Sequence, residues 1–191
     1  MHSSSEENYL KAIYSLSEDR SKSVSTNAIA ERLKTQASSV TDMMKRLAEK
    51  GLVEYKKYQG VRLSDNGYQL AIGVIRKHRL WETFLVEKLG FGWDQVHDMA
   101  EQLEHIQSQE LTDRLDEFLG FPEQDPHGDP IPNAKGELEP RKAAKLGEIK
   151  LGESVRVVGV QDSSAEFLQY LDQVGIALGT HLEVLEVTPF D

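Results

Sequence analysis

The chain contains no cysteine. This excludes disulfides, thiolate metal ligands, iron–sulfur clusters and cysteine nucleophiles, and any bound metal must rest on His, Asp, Glu, Asn or main-chain oxygens. Long apolar runs are also missing. The longest, Leu70 to Ile75, falls far short of the roughly 20 residues that span a bilayer. The polar start Met1-His2-Ser3-Ser4-Ser5-Glu6-Glu7 has no signal-peptide core. A cytoplasmic protein without a membrane partner is expected. The patterns G-x-S-x-G, G-x-G-x-x-G, H-E-x-x-H and the P-loop are absent as well, so no enzyme, and in particular no hydrolytic zinc enzyme, is expected. Proline is scarce except in one place: five of the six prolines fall between Phe121 and Pro140, which marks that segment as neither helix nor central strand.

What is present is the composition of a folded protein, 39% hydrophobic and 28% charged over 191 residues. The net charge of −10 is unevenly spread. Residues 20–62 carry ten basic and four acidic side chains, whereas residues 63–140 carry six basic and sixteen acidic ones. A basic stretch followed by an acidic one fits a phosphate-binding head on a body that could hold cations. Chance clustering of solvated charge is the plain alternative.

Ser4 and Glu7 have capping-box spacing, and Tyr9, Leu10, Ile13 and Leu16 follow at helical intervals, predicting a first helix to about Ser17. Ser25 or Thr26 can cap a short second helix carrying Ala28, Ile29 and Leu33. In a third, Val40, Met43, Met44 and Leu47 form one buried stripe, and Gly51 is placed to end it. Leu52 to Tyr58, Gln59-Gly60 and Val61 to Leu63 then read as a hairpin. Three helices and a basic hairpin make a winged helix-turn-helix, whose third helix would enter the major groove. Short side chains at Ser38, Ser39 and Thr41 would let it approach, and Gln36 and Asp42 could read bases. Lys45, Arg46, Lys56, Lys57 and Arg62 would neutralise phosphates. Simple helix capping by Ser38 or Ser39 is the competing reading for the hydroxyls.

Beyond Ser64 a long helix is predicted as far as Gly90-Phe91-Gly92, then helices at about 94–109 and 108–119. With little core of their own, these helices are expected to pair with a second subunit. After the proline-rich segment, Glu153 to Val160 and His181 to Val187 read as strands on either side of a short helix at Ala165 to Leu171. His78 and Glu82 stand at i and i+4, and His97, Glu101, Glu104 and His105 fall within one arc of the next helix. Six potential ligands on two faces could enclose a divalent ion. They could also be a solvated or salt-bridged surface. A carboxylate-bridged dimetal enzyme would need Glu-x-x-His pairs, which the chain lacks.

Several segments together carry a family resemblance: Glu6-Glu7-Asn8-Tyr9-Leu10-Lys11-Ala12-Ile13-Tyr14, Ala37-Ser38-Ser39-Val40-Thr41, Arg76-Lys77-His78-Arg79-Leu80-Trp81-Glu82, Val96-His97-Asp98 to Glu104-His105, and His127-Gly128-Asp129-Pro130-Ile131-Pro132. The chain, over essentially its whole length, resembles the diphtheria toxin repressor and manganese transport regulator family of metal-dependent bacterial transcription regulators. The resemblance implies a mainly α protein with small β parts: a winged helix at 1–63, a helical dimerisation and metal-binding domain at 64–120, a linker at 121–145 and an SH3-like β domain at 146–191. Because the chain stops at Asp191, short for such a barrel, an incomplete domain is expected.

The implied function is a homodimeric, metal-dependent repressor of metal-uptake genes, acting on a double-stranded DNA operator with Mn²⁺ or Fe²⁺ as effector. Zn²⁺, Co²⁺ or Ni²⁺ would substitute in vitro. A winged-helix regulator not controlled by metal is the alternative. Carried over by position, one implied site uses Asn8 with Glu101, Glu104 and His105, and a second uses His78, Glu82 and His97 with help from the C-terminal domain, where Glu166 and Ser163 match and Asp162 is nearby. Iron-sensing members have a cysteine where Glu101 stands, and an oxygen ligand there favours the harder Mn²⁺. Manganese-sensing members have carboxylates where this chain has Asn8 and Lys11, so that either Asn8 or Glu7 is the implied ligand from the first helix.

Overall fold

The structure is a computed structural model and describes residues 2–17, 20, 22–139 and 142–187. The chain divides into two compact units, Met1–Arg76 and Lys77–Asp191. In the first, α1 (Ser4–Leu16), α2 (Thr26–Arg32) and α3 (Ala37–Glu49) precede the antiparallel hairpin β1 (Val53–Lys56) and β2 (Gly60–Leu63). An isolated bridge, Val24 to Val61, adds a third strand edge. These are the predicted three helices and wing. The α1 capping box is Ser3 with Glu6, one residue earlier than the sequence suggested, because Ser3 is the last residue with extended backbone (φ −80°, ψ 154°). Glu7 therefore takes no part in the cap and is buried within α1. Ser25 caps α2 through the Ala28 N–H.

Leu10, Ile13, Ile29, Val40, Met44 and Leu47 are sealed from solvent and pack with Val53 and Val61 into one aliphatic core. Met43, expected among them, lies at its edge. Burying a side chain of this size contributes about 1.5–3 kcal/mol. At the end of α3, Gly51 takes the left-handed conformation (φ +68°) as the helix terminator. Lys50 closes the same end onto α1 through a 2.5 Å ion pair with Glu6. That bond is the main reason the Glu6 carboxyl titrates below its usual range.

The long helix α4 (Asp65–Leu89) starts in the first unit and ends in the second. At its first turn, Gly67 lies so close to the Leu52 carbonyl that an added Cβ would be 1.9 Å from the oxygen. In the second unit α5 (His97–Leu103) is much shorter than the predicted 94–109 helix. Gly92 and Gln95 close a local turn on each other, Gln95 N–H to the Gly92 carbonyl and Gly92 N–H to the Gln95 side chain, which delays the start. A second turn, Ile106 N–H to the Leu103 carbonyl, stops the helix early. Helix α6 (Gln109–Phe118) is capped by Ser108.

One apolar cluster of the unit joins Leu80, Leu115 and Ile131, with Trp81, Phe84 and Leu119 against it, and Leu85, Val96, Ala100, Leu168 and Leu171 are buried as well. Residues 121–139 form neither helix nor named strand, as expected. The last part has a 3-10 turn at Leu146–Glu148, then β3 (Ser154–Arg156), α7 (Ala165–Gln173) and β4 (His181–Glu183), with β3 and β4 antiparallel. Both strands are shorter than predicted. Main-chain bonds between Val157 and Thr180 and between Gly152 and Val184 continue the pairing past their ends. Among the described residues no helix is long and apolar enough to cross a membrane.

Candidate metal centre

Glu82 is the hub of the second unit's buried polar residues. It sits one turn after His78 on α4, and both are buried. Its Oε1 accepts from His78 Nε2 at 2.9 Å and lies 3.3 Å from His97 Nδ1 at the start of α5. On the other side of its ring, His78 Nδ1 meets Glu104 Oε2 at 2.5 Å, and Glu104 is the buried C-cap of α5. One imidazole thus bridges two carboxyl groups, one at each ring nitrogen.

The second oxygen of Glu82 faces a residue that sequence reasoning did not select as a ligand. His127, from the proline-rich segment, places Nδ1 3.5 Å from Glu82 Oε2. The loop that carries it is built around Asp125, whose Oδ1 accepts the main-chain N–H groups of His127 (2.8 Å) and Asp129 (3.0 Å). Gly128 makes the turn at φ +83°. Arg79, next to His78 on α4, fastens the loop through the Pro130 carbonyl at 2.5 Å, with Asp129 and Asp125 at 3.5 and 3.6 Å.

Two ligand sets result, His78/Glu82/His97 and Glu82/Asp125/His127, each with donor atoms within 4.8 Å of one another. They share Glu82. Imidazole and carboxylate without thiolate is a donor set that fits Mn²⁺, Fe²⁺ or Zn²⁺. The protonation behaviour fits too. Burial opposes ionisation of Glu82, yet hydrogen bonds from His127, His78 and His97 hold its carboxyl far below the usual carboxylate range. For His127, burial works against the charged ring, but the hydrogen bond and charge of Glu82, the Trp93 carbonyl and the Asp125 charge raise it to about 9. Asp125 goes the other way, pushed up to about 6 by burial and then by the charges of Glu82 and Asp129, with Arg79 opposing. Glu82 is thus held ionised, as a metal ligand must be, whereas His127 would give up a proton on binding a cation.

Of the other expected ligands, Glu101 on α5 lies 3.6 Å from His97 Nε2, and His105 lies in the turn after α5, 3.8 Å from Glu104 Oε1. Glu104 and His105 thus follow α5 rather than sit on it. Asn8 is exposed and Glu7 buried, both on α1 of the first unit. Glu166 is exposed in the first turn of α7 and belongs to neither ligand set. Asp125 and His127 escaped the sequence reading because the arcs sought were helical and these two stand in an irregular loop. The available signal was a His flanked by two Asp at i−2 and i+2 beside glycine and proline.

The expected DNA-facing residues lie on the first unit. Gln36 is the N-cap of α3 and makes no side-chain cap bond, so neither Ser38 nor Ser39 serves as the cap. Both serines are exposed with Asp42, Lys45 and Arg46. Thr41 is half-buried and bonds back to the Ala37 carbonyl. Lys45 pairs with Asp42 at 3.1 Å and Arg62 with Glu54 at 3.0 Å. Such surface pairs are worth about 0–1 kcal/mol and yield readily to phosphate. Lys56 ends β1 and Lys57 stands in the exposed turn of the wing.

Three family models match the chain. Residues 1–61 match "Iron dependent repressor, N-terminal DNA binding domain", residues 64–133 match "Iron dependent repressor, metal binding and dimerisation domain", and residues 144–191 match the FeoA domain. Similar curated proteins include the diphtheria toxin repressor of Corynebacterium glutamicum, 33% identical over 94% of this chain and 82% of that protein. The iron-dependent repressor IdeR of Mycobacterium bovis is 31% identical over 96% of this chain and 84% of its own. Among solved structures, a manganese-dependent transcriptional repressor in complex with manganese is 42% identical, covers 97% of this chain and 85% of that one, and superposes with a TM-score of 0.86. The repressor ScaR with bound Zn²⁺ is 35% identical over 97% and 86%, with a TM-score of 0.78.

Proposed function

Because the chain belongs to the diphtheria toxin repressor family of metal-dependent regulators, we propose that it is a homodimeric repressor that binds operator DNA when Mn²⁺ or Fe²⁺ occupies the Glu82 centre. The observation that carries the reading is the pair of ligand sets meeting at Glu82, within the stretch matched by the metal-binding and dimerisation model. Residues 1–63 would serve as the DNA-binding domain, 64–120 as the dimerisation and metal domain, 121–145 as a linker and 146–191 as the SH3-like domain.

His78, Glu82, His97, Asp125 and His127 would hold the metal, which supplies positive charge that cross-links side chains of α4, α5 and the 125–130 loop. The chain's own part is to prepare them. Arg79 holds the loop, Asp125 shapes its turn, and the His rings are aimed at one carboxylate. Glu7, Asn8, Glu101, Glu104, His105 and Glu166 remain further candidate ligands. On DNA, Gln36, Ser38, Ser39, Thr41 and Asp42 would lie toward the groove, with Lys45, Arg46, Lys56, Lys57 and Arg62 on phosphates. Metal and DNA affinity would be reciprocally linked, by about 1–3 kcal/mol as is typical of allostery.

The test is fluorescence anisotropy on promoter and scrambled DNA at fixed salt, since phosphate contacts make affinity salt-dependent. Binding preferring promoter DNA, absent in chelator and restored by Mn²⁺ or Fe²⁺, is expected. Equal binding in chelator would leave a winged-helix regulator not controlled by metal.

A further inference from the structure

Trp93, in the turn between α4 and α5, touches the metal-centre loop and the C-terminal β part at once. Its main-chain carbonyl accepts from His127 Nε2 at 2.8 Å, and its indole stacks beside the same ring, centroids 6.2 Å apart and planes 19° apart. The indole Nε1 donates to both oxygens of Asp172 on α7, at 3.0 and 3.1 Å. One residue along, Asp94 accepts from Gln169 at 2.9 Å. Gln169 and Asp172 are i and i+3 on α7 and so share a face. A third contact closes the circuit: Val160 N–H, in the segment after β3, donates to the His127 carbonyl at 3.0 Å. His127 is therefore held at its main chain by the β part, and at its ring by a residue that the β part also holds.

We propose that Trp93 is a positioning residue through which the seating of the C-terminal β domain fixes the aim of His127 at the metal centre; the inference rests on the reading of that centre given above. A ligating histidine donates its second ring N–H to a carbonyl or carboxylate, which fixes its tautomer and orientation, and loss of that partner weakens metal affinity about 10- to 100-fold. Here the carbonyl belongs to Trp93 itself. With Nε2–H given to it, Nδ1 is the nitrogen turned toward Glu82. The carbonyl can hold the ring only while the Trp93 backbone stays in place, and the indole bond to Asp172 pins that backbone to α7. The C-terminal domain then influences the metal centre through a contact that is not itself a metal–ligand bond.

Full-length protein stripped with chelator is titrated with Mn²⁺ by calorimetry, and the His127 ring Nε2–H is followed by NMR before metal is added. Trp93→Phe keeps a stacking ring but loses the indole N–H. Asp172→Ala removes the acceptor at an exposed position, so a folding failure of the first variant leaves the second informative. Each is expected to weaken Mn²⁺ binding about tenfold, the low end for such partners, and to speed exchange of the His127 Nε2 proton. The double variant should be no weaker than either single one, because both break the same contact. Asp172→Asn, which retains an oxygen acceptor, should restore affinity. Unchanged affinity in Trp93→Phe and Asp172→Ala, or additive losses in the double variant, overturns the proposal. Glu82→Gln in the otherwise unaltered chain separates the two levels: if it leaves Mn²⁺ binding intact, the centre itself is misassigned and the proposal falls with it.

Discussion

Among the described residues, the two units differ in the ionisable side chains they bury beside their apolar interiors. In the first, the sealed interior is aliphatic: Leu10, Ile13, Ile29, Val40, Met44 and Leu47. In the second, buried apolar residues, among them Leu80, Val96, Ala100 and Leu168, stand beside buried ionisable groups that include His78, Glu82, Glu104, Asp125 and His127. An aliphatic core takes up neither protons nor metal, since its driving force is removal of apolar surface from water. A core of imidazoles and carboxylates depends on what compensates their charge, whether protons, one another or a metal. The buried His, Glu and Asp groups of the second unit are therefore where protons or metal would change stability.

The largest expected effect breaks the comparison on the first unit's side. Leu47→Ala should cost about 2–5 kcal/mol, as large-to-small changes in sealed cores do. Measured by denaturant unfolding, the loss should be equal in chelator and in Mn²⁺; a loss that Mn²⁺ repaired would show that the first unit's core is not independent of the centre.

Next comes the metal itself. Both tryptophans, Trp81 and Trp93, lie in the second unit, so intrinsic fluorescence follows that unit alone. Mn²⁺ at a hundred times its dissociation constant should stabilise the fluorescence-detected transition by about 2.7 kcal/mol. Glu82→Ala should abolish this gain, because Glu82 belongs to both ligand sets. A gain that persisted in Glu82→Ala would place the metal elsewhere.

A smaller effect is the pH dependence of the metal-free protein. His127 is raised from its ordinary 6.5 to about 9, so the stability it contributes is complete below pH 6.5 and is lost as pH rises through 9. Asp125, at about 6, has largely titrated before that window opens. Unfolding followed by tryptophan fluorescence in chelator should therefore show stability declining from pH 6.5 to 9, and His127→Leu should flatten the decline. An unchanged slope in that variant would assign the dependence to another group.

The smallest effect concerns the wing. Lys57→Ala, at an exposed turn, should leave both unfolding transitions unmoved. It should lower the magnitude of the salt slope of DNA binding by about 1, the signature of one lost phosphate contact. Anisotropy at several salt concentrations checks this, and an unchanged slope removes Lys57 from the interface.

Periodicity made the first unit readable. The stripe at Val40, Met44 and Leu47 and the stop at Gly51 follow from local rules, because each turn of a helix meets the same core. His78, Glu82 and His97 were legible for the same reason, two of them one turn apart on one helix. Where local bonds compete with periodicity the reading failed: the Gly92–Gln95 turn shortened α5, and the cap of α1 moved to Ser3. Asp125 and His127 had no period to reveal them.

From the order of residues alone came the basic and acidic stretches, the winged helix and the helical half of the candidate centre, products of composition and of spacing along one element, while the family came from the resemblance of whole segments. Only the tertiary structure brought the 125–130 loop onto Glu82 and placed Trp93 between His127 and α7. These contacts join residues 34 to 79 positions apart in the chain. No local spacing encodes such meetings, because they depend on where Arg79 and Asp125 fold the loop back, and that is decided by packing in three dimensions.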